Sequence, residues 1–323
     1  MQKIYNLVWF RRDLRVSGNL ALINAIKNSS GQTLGVFFFD EKFLARADFS
    51  ANRFAFFLKT LQCLRQELLD LGSELLVLDC GPYAGFEKLF DRLTGLKIAL
   101  PKSVFFNRDY EPFAYERDTK ITLLLEEKYK ISVQTFKDHL LVEPREILKD
   151  SDYSYYKVFT PYSKRWFERI KADDCYDVIH NAFEMPAKNY LRWKKLKINV
   201  KLEDKFEKFE TENAKKVSVS LPAAGAQAAF KQLRAFKENA KNYSKNRDFM
   251  SMRHLNWVSN LSIYLKNGSI STAQILNYLA TNGTSRLTPK NYLELLTSYR
   301  DYIRQICWRE FYFQILALEP RVE

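Results

Sequence analysis

Along the first 136 residues, short apolar runs alternate with longer stretches whose apolar positions recur every three or four residues. The runs at residues 4–10 (IYNLVWF), 34–39 (LGVFFF), 74–78, 103–106 and 131–136 predict buried strands. Between them the spacing predicts helices over 19–26, 86–93 and 113–129, and a long one from an N-cap at Ser50 to about residue 71. In that long helix Phe54, Phe57, Leu58, Leu61 and Leu64 fall on one side. Strands alternating with helices predict an α/β fold, a doubly wound, Rossmann-like parallel sheet with crossover helices. Ligands of such sheets sit beyond the carboxyl ends of the strands.

The turn after the first strand narrows what that sheet can bind. It reads Trp9, Phe10, Arg11, Arg12, and neither GxGxxG nor GxxxxGK(S/T) occurs there. This argues against an ordinary dinucleotide dehydrogenase or a P-loop enzyme. The arginines either grip an anion or, the favoured reading, Arg12, Asp13 and Arg15 form salt bridges that fix the turn.

After residues 142–147 the pattern changes. YYKVFTPY at 155–162 leads into a helix with Thr160 as N-cap and Pro161 at its first position. Residues 189–216 are rich in lysine and glutamate and lack a period, as expected of an exposed connection. From 222 onward the spacing predicts only helices, over 222–238, 256–266, 271–280 and 289–318, the last capped by Thr288. The expected organisation is an α/β domain over 1–135, a connection over 136–220 and an all-α domain over 221–323.

The last of these helices carries an unusual face. Gln305, Trp308, Arg309 and Tyr312 lie at i, i+3, i+4 and i+7 and so share one side. They offer an amide, two aromatic surfaces and a planar cation, while Ile303, Ile306, Phe313 and Leu316 are left for the core. An aromatic core helix with an incidental Arg–Glu pair is the competing reading.

Composition fits a globular chain, with 46% hydrophobic and 28% charged residues in 323. The charge is uneven. Residues 1–150 hold 22 Lys and Arg against 20 Asp and Glu, leaving 29 against 18 for the rest of the chain. A basic second half points to a polyanion, nucleic acid first. Cys63, Cys80, Cys175 and Cys307 form no CxxC pair, and three histidines give no metal-ligand spacing, so no metal is expected. The absence of a signal-like start or a membrane-length apolar run leads to the expectation of a cytoplasmic chain with no membrane partner.

Nucleophile–base constellations are missing around His139, His180 and His254, so any enzyme here needs a cofactor. Ser259, Asn260 and Ser262 lie beside an expected helix start near Ser259, where hydroxyls and free amides can cradle phosphate or simply cap the helix. Arg247, in a polar loop, is either a phosphate contact or a solvated surface arginine.

Three regions together resemble the photolyase/cryptochrome family. LVWFRRDLRVSGNLAL (7–22) is similar to that family's opening strand and turn, with Gly18 where an Asp is usual. YYKVFTPYSKRW (155–166) is similar to its YKVFTPF segment, and VSNLSIYLKNGSIS (258–271) with WREFY (308–312) to its TSxLSxxLxxGxxS and WREFY signatures. The resemblance implies an antenna domain followed by a helical domain that holds FAD. It places Tyr243, Val258, Ser259, Asn260, Leu261, Ser262, Tyr302 and Arg309 at the flavin, Val258 acting through its backbone because a usual Thr is replaced. It places Arg247, Gln305, Trp308, Arg309 and Tyr312 at damaged DNA, whose dimer is extruded from the helix.

The implied reaction is light-driven splitting of pyrimidine dimers by an electron from reduced FAD, with a folate, deazaflavin or second flavin as antenna. Gln305 stands where cyclobutane-dimer enzymes usually carry Glu, which leaves (6-4) lesions open. Two other readings stay open: a cryptochrome-like blue-light photoreceptor, and a flavin-free DNA-binding remnant. Residue 323 falls short of the family's usual end, so the resemblance implies an incomplete FAD domain. That domain would hold FAD weakly or be completed by a second chain.

Overall fold

Strands β1 (Asn6–Phe10), β2 (Thr33–Phe38), β3 (Leu75–Leu78), β4 (Ser103–Asn107) and β5 (Ser132–Phe136) form one sheet in the order β3-β2-β1-β4-β5. Every pairing in it is parallel. This computed structural model describes residues 5–29, 33–40, 47, 49–187, 211–213, 215–249, 256–283 and 286–322. The chain divides into two compact units. The first comprises Met1–Asn107, Arg117–Phe136 and Met185–Ala226, the second Arg108–Glu116, Lys137–Glu184 and Gln227–Glu323.

The sheet is apolar on both faces because its strands alternate residues between two cores. Leu7 and Trp9 join Leu34, Val36 and Phe38 on one side, closed by Phe86, Leu89, Phe90 and Leu93 of α3 (Pro82–Gly95). Val8 and Phe10 join Phe37 and Val77 on the other, under α1 (Leu20–Lys27) and α2 (Ala51–Asp70). Ser50 caps α2 as expected, accepting from the Arg53 amide. The helix expected over 113–129 is α4 (Pro112–Leu123), followed by a π-helical turn at Leu124–Lys128. Gly85 lets α3 approach β2, since a Cβ there would lie 2.2 Å from the Phe38 ring.

Beyond the carboxyl ends of β1 and β4 a buried polar network fixes the turn. Asp13 accepts from the Arg11 amide at 2.7 Å and from the Asn107 side chain at 2.6 Å. Arg11 pairs with Asp118 and also donates to the Asn107 carbonyl. Its guanidinium lies 4.6 Å from the Trp9 ring centroid. Arg15, also buried, donates to the carbonyl of Gly18, whose φ of 63° is left-handed. Arg11 and Arg15 therefore serve local structure, and Arg11 pairs across to Asp118.

The second unit is helical among its described residues, apart from an isolated bridge between Leu148 and Tyr155. Its helices are α5 (Phe159–Arg169), α6 (Asp173–His180), α7 (Gly225–Ala240), α8 (Tyr243–Asn246), α9 (Ser262–Asn267), α10 (Thr272–Thr281), α11 (Pro289–Ser298) and α12 (Arg300–Leu318). A capping box between Ser271 and Gln274 starts α10.

Three expectations need correction. The helix expected over 289–318 is two, because Tyr299 leaves helical geometry at φ −115°, ψ 19°. Just before it, Thr297 turns its hydroxyl back onto the Leu293 and Glu294 carbonyls, a bond that competes with helix continuation. The helix expected from 256 begins at Ser262, since Asn256 and Asn260 have φ of 57° and 50°, which a right-handed helix excludes. Helix α5 starts at Phe159 rather than at Pro161, and its N-cap is Val158 without a side-chain bond. Pro161 remains in the first turn, where its missing N–H costs nothing. Most of the 189–216 connection and His254 lie outside the described residues. Within that stretch Asn213 is buried and donates to the Ala51 carbonyl at 2.8 Å.

Candidate functional site

Helix α12 organises the second unit's chemistry. Its buried side carries Tyr302, Ile303, Ile306, Cys307, Glu310, Phe311 and Gln314. Gln305, Trp308 and Arg309 are half-buried and Tyr312 is exposed, so the four residues of the anticipated face do lie together off the core. Phe313 and Leu316, expected in the core, are only half-buried. Phe313 packs its ring edge-on against His139 at 4.9 Å.

Glu310, which the competing reading makes half of an incidental Arg–Glu pair, is a buried anchor. Its carboxylate accepts from the Leu141 amide at 2.7 Å, the Val142 amide at 3.1 Å and the Trp166 indole N–H at 2.7 Å. Burial pushes its pKa up to about 7, against the three donors and the nearby Arg309, all of which favour the charged form. Neighbouring Arg309 reaches the same loop. It donates to the His139 carbonyl at 3.0 Å and meets the His139 ring at 2.9 Å.

Further ties rigidify residues 137–146. Glu143 accepts from Arg108 at 2.6 Å and from the Tyr110 hydroxyl at 2.5 Å. Burial is the first cause of the raised Tyr110 pKa, and the adjacent carboxylate adds to it. Glu146 binds Lys137 at 2.9 Å and Arg169 at 2.5 Å. One loop thus receives consecutive side chains of α12 and holds that helix in rotation.

A second group gathers around Tyr302. Its ring lies 4.7 Å from Phe236 and 5.4 Å from Tyr243. Burial raises the Tyr302 pKa, and a hydrogen bond with Ser259 opposes the rise. The Ser259 carbonyl accepts from Gln232 at 3.1 Å, fixing the turn. In that turn Val258 and Ser259 are half-buried, Leu261 is buried, and Asn260 and Ser262 face solvent. Tyr243, Ser259 and Tyr302 therefore meet, although no helix begins at Ser259. Tyr302 is buried in this group, while Tyr243 and Ser259 are half-buried and bring a phenol and a hydroxyl to its edge.

Arg247 ends α8, is 47% exposed and lies 3.3 Å from Asp248. A cleft of about 320 Å³ opens elsewhere in this unit, among Lys237, Lys241, Leu279, Asn291, Leu295 and Tyr299, and includes none of the anticipated residues. Among the described residues no cluster of His, Cys, Asp and Glu could hold a metal, and no helix is long and apolar enough to cross a membrane.

Sequence reasoning missed Glu310, His139 and Phe159. Glu310 sits inside WREFY, where its burial has no local signal. His139 lies 170 residues from Arg309 in sequence, and Phe159 stood in a quoted motif without a role.

Residues 6–185 match the family model described as DNA photolyase. The chain belongs to that family. The deoxyribodipyrimidine photo-lyase of Alkalihalophilus pseudofirmus is 28% identical over 324 residues, covering 97% of this chain and 59% of its own length. Among solved structures, a bacterial class III photolyase from Agrobacterium tumefaciens superposes with a TM-score of 0.68 at 23% identity, covering 99% of this chain and 60% of its own. An archaeal photolyase from Sulfolobus tokodaii, described with two FAD molecules, superposes with a TM-score of 0.66 at 21% identity over 99% of this chain and 61% of its own. At those identities the structures establish the photolyase fold. This photolyase-family chain spans about six-tenths of the length of such relatives.

Proposed function

We propose that this chain forms the DNA-facing and flavin-contacting part of a light-driven repair lyase acting on pyrimidine dimers. The observation that carries the reading is the α12 face, where half-buried Trp308 and exposed Tyr312 stand beside Gln305 and Arg309. FAD, when bound and reduced, would supply one electron under blue light and regain it once the dimer has split. Tyr243, Ser259 and Tyr302 are the residues that would hold it, with Asn260 and Ser262 offering polar groups to its phosphates. Trp308 stacks on an extruded base, Gln305 meets its edge, and Arg247 binds a backbone phosphate.

A deoxyribodipyrimidine photo-lyase activity agrees with the name of the relative from Alkalihalophilus pseudofirmus. The decisive experiment irradiates a thymine-dimer oligonucleotide with blue light in the presence of the chain and reduced FAD. Restoration of the undamaged strand is expected; a flavin-loaded chain that restores none defeats the reading. Gln305 motivates one second reading, a cryptochrome-like photoreceptor, because its amide carries no charge to place against a base. Flavin absorption without repair is its signature.

A further inference from the structure

Arg304, Trp308 and Tyr312 are spaced i, i+4, i+8 and form a stripe along α12. Phe159, the first residue of α5, fits against this stripe. Its ring stacks on Trp308 with centroids 3.5 Å apart and planes 8° from parallel, and the Arg304 guanidinium lies 5.3 Å from its centroid. Phe311 stands edge-on to both rings, 5.7 Å from Phe159 and 5.8 Å from Trp308. Phe159 is 6% exposed, so its ring belongs to the core.

Tyr312, 62% exposed, neighbours Trp308 at 5.6 Å with planes 24° apart. Tyr312 is thus a second near-parallel neighbour of the indole, at longer range than Phe159.

We propose that Phe159 is a positioning residue for Trp308: it seals one face of the indole and fixes its plane, so that a planar ligand meets the other face, beside Tyr312. That ligand is an extruded nucleic-acid base, which rests on the function proposed above. Holding the indole in place before binding removes the cost of ordering it, and a one-sided plate accepts one planar group rather than intercalating between two. The sealed side also accounts for an aromatic residue at the first helical position of α5.

The experiment compares the 323-residue chain with Phe159→Leu, Phe159→Met and Phe159→Tyr. The near-ultraviolet circular dichroism and acrylamide quenching due to Trp308 are obtained by difference from Trp308→Phe in each background. Loss of the Trp308 dichroism and faster quenching are expected for Leu and Met, with Tyr restoring both. Should Leu fail to fold, Met, whose unbranched side chain adapts to an irregular site, decides the matter. Each protein is then titrated with a duplex holding 2-aminopurine opposite an abasic site, and with the fully paired duplex. Leu and Met should weaken binding to the unpaired-base duplex about tenfold and leave the paired duplex unchanged. Equal Trp308 signals in all variants, or equal loss with Tyr, would overturn the positioning role. Equal affinity of the unmodified chain for both duplexes defeats the base-binding reading instead, while the dichroism still decides what Phe159 does.

Discussion

The indole of Trp166 donates to the buried carboxylate of Glu310 at 2.7 Å, tying α5 to α12 through a group that is 1% exposed. Burial raises the Glu310 pKa to about 7, above its ordinary value of 4.5. The folded protein therefore binds this proton more tightly than the unfolded chain. Its contribution is fully present below about pH 4.5 and is lost as pH rises to about 7, a change of about 3 kcal/mol. Glu310→Gln should flatten that dependence. It should also cost about 1–3 kcal/mol, because the amide NH₂ is a donor only and would face at least one of the three donors without accepting from it. Urea midpoints between pH 5 and 8 test this; parallel curves for the two proteins would show that the carboxyl does not titrate differently on folding.

In the first unit, Gly85→Ala should destabilise by about 1–3 kcal/mol, since overpacking forces side chains off their rotamers. The added methyl lies 2.2 Å from a Phe38 ring that also packs on Phe86 at 4.5 Å. Gly95→Ala, where nothing lies within 4 Å, is the matched control and should be neutral or mildly stabilising. Equal thermal midpoints for the two variants would place α3 farther from the sheet.

The parallel sheet was legible because each of its apolar runs feeds two cores, and both cores formed where the runs predicted. The α12 face was legible for a similar reason, a spacing of three and four along a long helix. The break at Tyr299 was not, since neither Gly nor Pro marks it and its ring is buried by contacts remote in sequence. Asn256 and Asn260 did carry a signal, the tolerance of asparagine for positive φ, which was outweighed by the apolar period after them. Glu310 and His139 were beyond reach: what makes each matter is a partner more than 100 residues away.

His139 bears on the site through Arg309. Removing the ring in His139→Ala leaves the carbonyl contact at 3.0 Å but deletes the contact at 2.9 Å. A loss of about 1 kcal/mol is expected from that hydrogen bond. Arg309→Lys should cost at least as much, because one ammonium cannot reproduce the planar fork that reaches both acceptors. Chemical denaturation of the two variants and of the double variant checks the coupling; additive losses would mean the residues act independently.

Trp308→Ala should weaken binding to dimer-containing DNA by about 1–3 kcal/mol through lost base stacking, with affinity for undamaged duplex little changed. Because Trp308 also stacks on Phe159 at 3.5 Å, thermal stability should fall as well. Trp308→Phe separates the two effects by retaining a ring. Gel-shift competition between damaged and undamaged duplexes reads the discrimination, and an unaltered ratio in Trp308→Ala would remove the indole from the recognition face.

Arg247 offers the simplest electrostatic test. It is 47% exposed and lies 3.3 Å from Asp248, itself 77% exposed. An ion pair so open to solvent is worth about 0–1 kcal/mol, so a phosphate can displace the aspartate at little cost. Arg247→Ala should then weaken binding to all DNA sequences alike and reduce the slope of log affinity against log salt by about one. Asp248→Ala should act in the opposite sense, freeing the guanidinium and raising affinity slightly at low salt. Titrations at several salt concentrations, on damaged and undamaged duplexes, give both slopes. A slope that Arg247→Ala leaves intact would assign the arginine to the solvated surface and its aspartate alone.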